Sequence, residues 1–315
     1  MTFKLYYMQM MNNHIKFSLI TAFAISSLMI SCKKDGNPNN LPSVSTADYV
    51  GKIDGFNSSD EVFPESLVAY WPFDNSKNEV KSNTAPGTSL NDSYIATGVK
   101  GQALRLNAGF LYYPTQFNAF KTDAFKSFAI STWIQISNNG SKRTMLFQLT
   151  RPGVFNGSLN FALNTQSFPA SNVTDLKVQP TFITIGGGTQ DNINTLRDAP
   201  GAPNYMPYIT PPIGPDKWVH LALNYNASNG FFDIWINGTR AGAFPSRGTG
   251  NNNFKAYEPS EVIIGGNYNV IPGKSVSSDV SFAAMTGVID EMRIYNIALP
   301  DAHIRALYNL GKAGK

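Results

Sequence analysis

Residues 127–137 read SFAISTWIQIS. On an extended chain, Phe128, Ile130, Thr132, Ile134 and Ile136 share one face, and Ala129, Ser131, Trp133 and Gln135 share the other. KWVHLALNYN (217–226) repeats the pattern, placing Val219, Leu221, Leu223 and Tyr225 together. In FFDIWINGTRAGAF (231–244), Asn237-Gly238 supplies the positive φ angles of a tight type I′ turn between two strands. SLVAYWPF (66–73), QALRLN (102–107), EVIIGGN (261–267) and GVIDEMRIY (287–295) read as further strands bounded by turn residues. PDAHIRALYNLG (300–311) is the one helical pattern, with Pro300 and Asp301 at its start and Gly311 near its end. Many short strands and one short C-terminal helix predict an all-β sandwich or jelly roll.

The chain has 315 residues, 42% hydrophobic and 15% charged, too apolar for a disordered polypeptide. Its formal charge is +4 and no dense Lys/Arg run occurs, which argues against a nucleic-acid partner. Cys32 is the only cysteine, so no intramolecular disulfide supports the domain. It follows NNHIKFSLITAFAISSLMIS (12–31), a basic front followed by an apolar run from Phe17 to Ile30. That run is shorter than the ~20 residues a spanning helix needs, and its layout is that of a secretory signal. Ser31 before Cys32 resembles a bacterial lipobox, in which the cysteine becomes the diacylated N-terminus. The expected organisation is a lipoprotein signal peptide over 1–31, with Met11 as the expected start, a flexible tether over 32–60 and the jelly roll over 61–315. The expected location is the outer membrane, held by a lipid anchor, with the cell surface and the periplasmic face both open.

The segments LVAYWPFDNSKNEV, SFAISTWIQI, KWVHLALNYNASNGFFDIWINGTRAGAF, VIIGGN and GVIDEMRIYNIAL occur in one order between Leu67 and Asn309. That order resembles laminin G-like domains of the concanavalin A-like lectin/glucanase superfamily. The resemblance implies two packed antiparallel sheets with first and last strands adjacent. Because the superfamily includes lectins, pentraxins, glucanases and lyases, function has to be argued from the site.

Its glucanase branch carries Glu-x-Asp on one strand, so that two carboxylates converge on a glycosidic bond. None of Glu61, Glu65, Glu79, Glu258, Glu261 and Glu291 has an Asp two positions later. Asp290 and Glu291 are adjacent, so a regular strand would turn them to opposite faces. His220 falls in a strand and reads as packing; His303 falls on the helix and reads as solvated. The expectation is a non-catalytic domain.

By alternation, Asp290 shares the apolar face of Val288, Met292 and Ile294, while Glu291 pairs with Arg293 on a wet face. A buried carboxylate needs compensation. Either backbone amides of a neighbouring turn supply it, or a calcium ion does. The resemblance implies calcium held by Asp74 and Asp290, with Glu79 five residues after Asp74 as a further acid, in a structural role.

Two long segments rich in Pro, Gly and Asn, 186–216 and 245–260, are candidate binding loops. The first offers Asp191, Asn194, Arg197, Tyr205 and Tyr208 for sugar hydroxyls and ring faces; the second offers Asn252, Phe254 and Tyr257. Trp133 and Trp235 read as core, and Tyr112-Tyr113 places one ring on each face. The expected function is carbohydrate binding by a lipid-anchored, lectin-like module that captures a polysaccharide or glycan. An adhesion module meeting other envelope proteins is the alternative, and a lyase or hydrolase the third reading.

Overall fold

A computed structural model describes residues 51–194, 210–244 and 247–315. Cys32, Arg197, Tyr205 and Tyr208 lie outside the described residues, as does the expected signal segment. The strands in the first half are β1 (Leu67–Trp71), β2 (Thr88–Ile95), β3 (Ala103–Tyr113), β4 (Phe128–Ile136), β5 (Arg143–Arg151) and β6 (Val154–Leu163). Two short strands follow, β7 (Thr181–Ile183) and β8 (Thr189–Asp191), then β9 (Gly214–Asn226), β10 (Phe231–Ile236) and β11 (Thr239–Phe244). The chain ends with β12 (Glu261–Ile264), β13 (Phe282–Ala283), β14 (Met285–Tyr295) and the helix α1 (Asp301–Lys312).

The strands form one curled sheet in the order β11-β10-β9-β4-β14-β3-β12-β5-β6-β7-β8, with β1 on β14, β2 on β3 and β13 on β5. All ladders are antiparallel except β13 against β5. The expected pairing of first and last strands is present, Tyr70 standing opposite Arg293. The Asn237-Gly238 turn has φ of 48° and 71°, as the hairpin requires.

The inward rows meet in one large core. Phe128, Ile130, Ile134 and Ile136 of β4 join Leu221, Leu223 and Tyr225 of β9. Tyr113 enters this core while Tyr112 packs on the opposite side with Phe110 and Tyr268, one ring to each face. Phe254 belongs to the core as well, edge-on to Phe125, Phe128 and Phe182. It is therefore a packing residue rather than an exposed sugar platform.

The outward row of β4 is also buried, because α1 covers it. Ala129, Ala222, Trp235 and Tyr295 meet Ile304, Leu307 and Leu310 in a second cluster. Those helix residues recur three apart, which puts them on one face. His303, expected to be solvated, is half-buried with its ring 4.6 Å from that of Phe63.

Two boundaries differ from expectation. The compact unit begins at Gly51, inside the stretch expected to be tether. Its first residues are anchored: Val62 is buried beside α1, and Asp60 pairs with Arg293 at 2.8 Å. Alternation along β14 also breaks. The register against β4 shifts between Asp290 and Arg293, and Glu291 has a φ of 50°. This bulge inserts one residue, so Ile289, Met292 and Ile294 form the inward row. Asp290 consequently lies outward beside its partner Trp133, not on the apolar face with Met292 and Ile294.

Candidate functional site: an aromatic cleft under the C-terminal helix

Where the last turn of α1 crosses the ends of β4 and β9, a cavity of about 340 Å³ opens. Trp133, Trp218 and Tyr308 line it, together with Asn237, Lys312 and the backbone of Gly98 and Val99. Three different elements deliver the rings. Trp133 stands in the outward row of β4, Trp218 in β9 and Tyr308 on α1. The Trp133 and Tyr308 rings are stacked, with centroids 5.6 Å apart at 20°. Trp133 is buried, whereas Trp218 and Tyr308 are half-buried, so part of each of these two rings is exposed. Asn237 supplies an amide at the hairpin turn and Lys312 an exposed cation. Aromatic faces beside a few polar groups, in a space of this size, fit a small organic ligand or one or two sugar rings.

Behind the cleft, His220 lies fully buried against Trp133, ring centroids 5.1 Å apart. Its Nε2 is 2.8 Å from Ser131 Oγ. Burial pulls the imidazole down to about 3, so it is neutral at physiological pH and unsuited as a general base. The packing role expected of His220 holds.

The acids of β14 are closed off. Asp290 has no exposed surface. Its Oδ2 accepts the amides of Val99 (2.6 Å) and Lys100 (3.2 Å), and its Oδ1 accepts the amide of Glu291 (2.9 Å). Burial pushes the carboxyl up to about 8, the Glu291 charge adding and the three amides opposing. Glu291 accepts the Tyr70 hydroxyl at 2.6 Å and pairs with Arg293 at 2.5 Å. That pairing was expected, but not its setting: both side chains are buried under residues 59–60 and α1, not on a wet face. The bulge brings Asp290 and Glu291 to the same outer side, yet neither opens into a groove where a sugar could lie.

The expected calcium ligands face donors instead. Asp74 is exposed and accepts the Gln102 amide at 2.6 Å. Glu79 is fully buried and saturated, by the amides of Tyr70, Lys81 and Ser82 and by the Ser82 hydroxyl. Among the described residues, no group of three or more His, Cys, Asp or Glu side chains is placed to hold a metal ion. Glu79 and Asp290, each held by at least three N–H or O–H donors, do not fit a hard cation, whereas Asp74 has only its Oδ1 so engaged. Of the two remedies for Asp290, backbone amides are the one seen.

Of the nominated sugar contacts, Asp191, Asn194 and Tyr257 fall among the described residues, and each already has a protein partner. Asp191 pairs with Arg247 at 2.9 Å. Asn194 is 2% exposed and fastens its loop, accepting from the Val178 amide and donating to the Leu176 carbonyl. It is structural rather than a ligand contact. Tyr257 is half-exposed, its hydroxyl donating to the Thr184 carbonyl at 3.0 Å. Sequence reading missed Trp218 and Tyr308. The available signal was the outward position of Trp133, next to a helix that carries a tyrosine.

Residues 113–305 match the laminin G family model described as the concanavalin A-like lectin/glucanases superfamily. Among solved structures, the binding domain of botulinum neurotoxin serotype D/C VPI 5993 aligns at 15% identity and a TM-score of 0.50, covering 78% of this chain and 52% of that one. The binding domain of Paraclostridial Mosquitocidal Protein 1 aligns at 15% identity and 0.49, covering 78% and 52%. Domain 4 of an extracellular arabinanase from Geobacillus stearothermophilus, in complex with arabinotriose, aligns at 19% and 0.45, covering 77% and 98%. The chain thus spans about half the length of the toxin binding domains it matches. No curated protein matches it. With the family model covering more than half of its residues, the chain belongs to the concanavalin A-like lectin/glucanases superfamily.

Proposed function

We propose that this domain is a non-catalytic carbohydrate-binding module, with the aromatic cleft as its sugar platform. The observation that carries the reading is the pair of half-exposed rings, Trp218 and Tyr308, around the buried Trp133. Sugar rings present flat C–H faces that stack on aromatic side chains; Lys312 and the Nδ2 of Asn237, whose Oδ1 already accepts the His220 amide, are the polar groups offered to the hydroxyls. The sealed state of Asp290, Glu291 and His220 supports binding rather than bond cleavage.

A glycan array probed with the full chain tests this. The expected result is a defined set of bound glycans, with Trp218→Ala and Tyr308→Ala each weakening binding roughly tenfold or more. Binding unchanged in both variants, or no glycan bound, overturns it. Incubation with polysaccharides and product analysis checks the non-catalytic part, since any shortened product contradicts it.

The reading extends to a lipid anchor at Cys32 and to display at the outer membrane for glycan capture. It rests on the Ser31-Cys32 pattern after the apolar run. Cys32→Ser should move the protein from the membrane to the soluble fraction of its host; unchanged fractionation removes the anchor.

A further inference from the structure

Among the described residues, the cation–aromatic contacts other than those at Tyr257 each have a carboxylate in attendance. Arg293 lies 4.0 Å from the Tyr70 ring centre and pairs with Glu291 and Asp60. Arg240 lies 4.9 Å from the Trp235 ring centre and pairs with Asp233 and Asp301. Lys274 lies over Tyr112, whose hydroxyl donates to Glu261. Arg143 lies over Phe282, with the Asp279 charge nearby.

Tyr257 is the exception. Arg151 stands 5.0 Å and Lys255 4.5 Å from its ring centre. Among the described residues, neither cation is in a salt bridge. The adjacent acid, Glu258, accepts the Thr122 amide at 2.9 Å. Arg151 spends Nε and one terminal nitrogen on the Asn156 carbonyl, which fixes the guanidinium. Tyr257 is fixed at both ends, its amide on Ser158 Oγ and its hydroxyl on the Thr184 carbonyl. Two like charges are therefore gathered at one rigid ring, and among the described residues neither has a salt-bridge partner. An anion within reach of both would gain from both.

We propose that Arg151, Lys255 and Tyr257 form an anion-recognition site for the carboxylate or sulfate groups of an acidic polysaccharide, separate from the aromatic cleft. The proposal rests on the glycan-binding reading of the domain and adds the class of glycan. Arg151 offers its free guanidinium nitrogen in a fixed plane, Lys255 offers a mobile point charge, and Tyr257 holds the two together.

The test is affinity electrophoresis of the full chain through gels containing polygalacturonate, dextran sulfate or uncharged dextran. Retardation is expected with one or both anionic polymers, the pair of arms separating carboxylate from sulfate, and none with dextran. Arg151→Gln and Lys255→Gln should each weaken it about three- to tenfold, and the double variant should abolish it. Lys126→Gln/Lys217→Gln removes the same net charge elsewhere and should change little. Equal retardation of the two double variants overturns the site, as does no retardation of the wild type. Retardation lost on changing Arg151 and Lys255, but no glycan dependent on Trp218 or Tyr308, sustains this site and sinks the cleft. The reverse pattern sinks this site alone.

Discussion

Gly311 of the helix lies directly against Trp133 of the sheet: a Cβ built on it would come 2.5 Å from the indole Nε1. Glycine inside a helix costs about 1 kcal/mol relative to alanine. Here it lets the helix approach closely enough for Tyr308 to stack on Trp133.

Gly311→Val should therefore lower stability by about 1–3 kcal/mol, as overpacking does, despite the general gain from removing a helical glycine. Glycan binding at the cleft should fall with it, because the helix must move outward. Urea denaturation and binding measured on the same variant check both; a more stable variant contradicts the close approach.

The buried Arg293–Glu291 pair predicts an asymmetric response. Arg293→Ala leaves Glu291 sealed without its cation and should cost about 3–5 kcal/mol. Arg293→Met combined with Glu291→Leu should recover much of that loss. A double-mutant cycle by chemical denaturation decides; an equal loss in the single and double variants would mean the pair is not the source.

Asp233 makes stability depend on pH. Burial raises its carboxyl from 3.8 to about 7, the Asp301 charge adding and Arg240 opposing. Between those values the folded chain holds a proton that the unfolded chain releases. The contribution of Asp233 to stability is thus full below about pH 4 and declines as pH rises toward 7. Asp233→Asn should flatten that part of the stability–pH profile, while an unaltered slope shows that other groups set it.

Calcium should leave the melting temperature unchanged to within about 1 °C, and a chelator likewise, because the oxygens of Asp290 and Glu79 already accept N–H and O–H donors. Asp290→Ala should destabilise the domain whether or not calcium is present, by freeing the Val99–Lys100 turn. A calcium-induced rise that Asp290→Ala removes would show that the turn rearranges around an ion.

Much of the fold was legible in the chain because side-chain alternation is a local property. The rows of β4 and β9, the Asn237-Gly238 hairpin and the C-terminal helix follow from it directly. Alternation failed at Glu291, where one residue in a left-handed conformation shifts the parity of everything after it. Nothing in DEM (290–292) announces the bulge. It arises where β14 leaves its pairing with β3 and takes up β1.

The site was less legible. Asn194 and Phe254 carry the chemistry of ligand contacts, but their loops fold inward and use them as fasteners and core. By itself the sequence determined which residues share a strand face, which turn closes the hairpin, and that no Glu-x-Asp pair exists. Only the tertiary structure decided that the Val99–Lys100 turn would seal Asp290 and the helix Glu291, yet leave Trp218 and Tyr308 partly open beside Trp133. Those contacts join residues as far apart in sequence as Trp133 and Tyr308, and their separation is set by how closely Gly311 lets two packed layers meet.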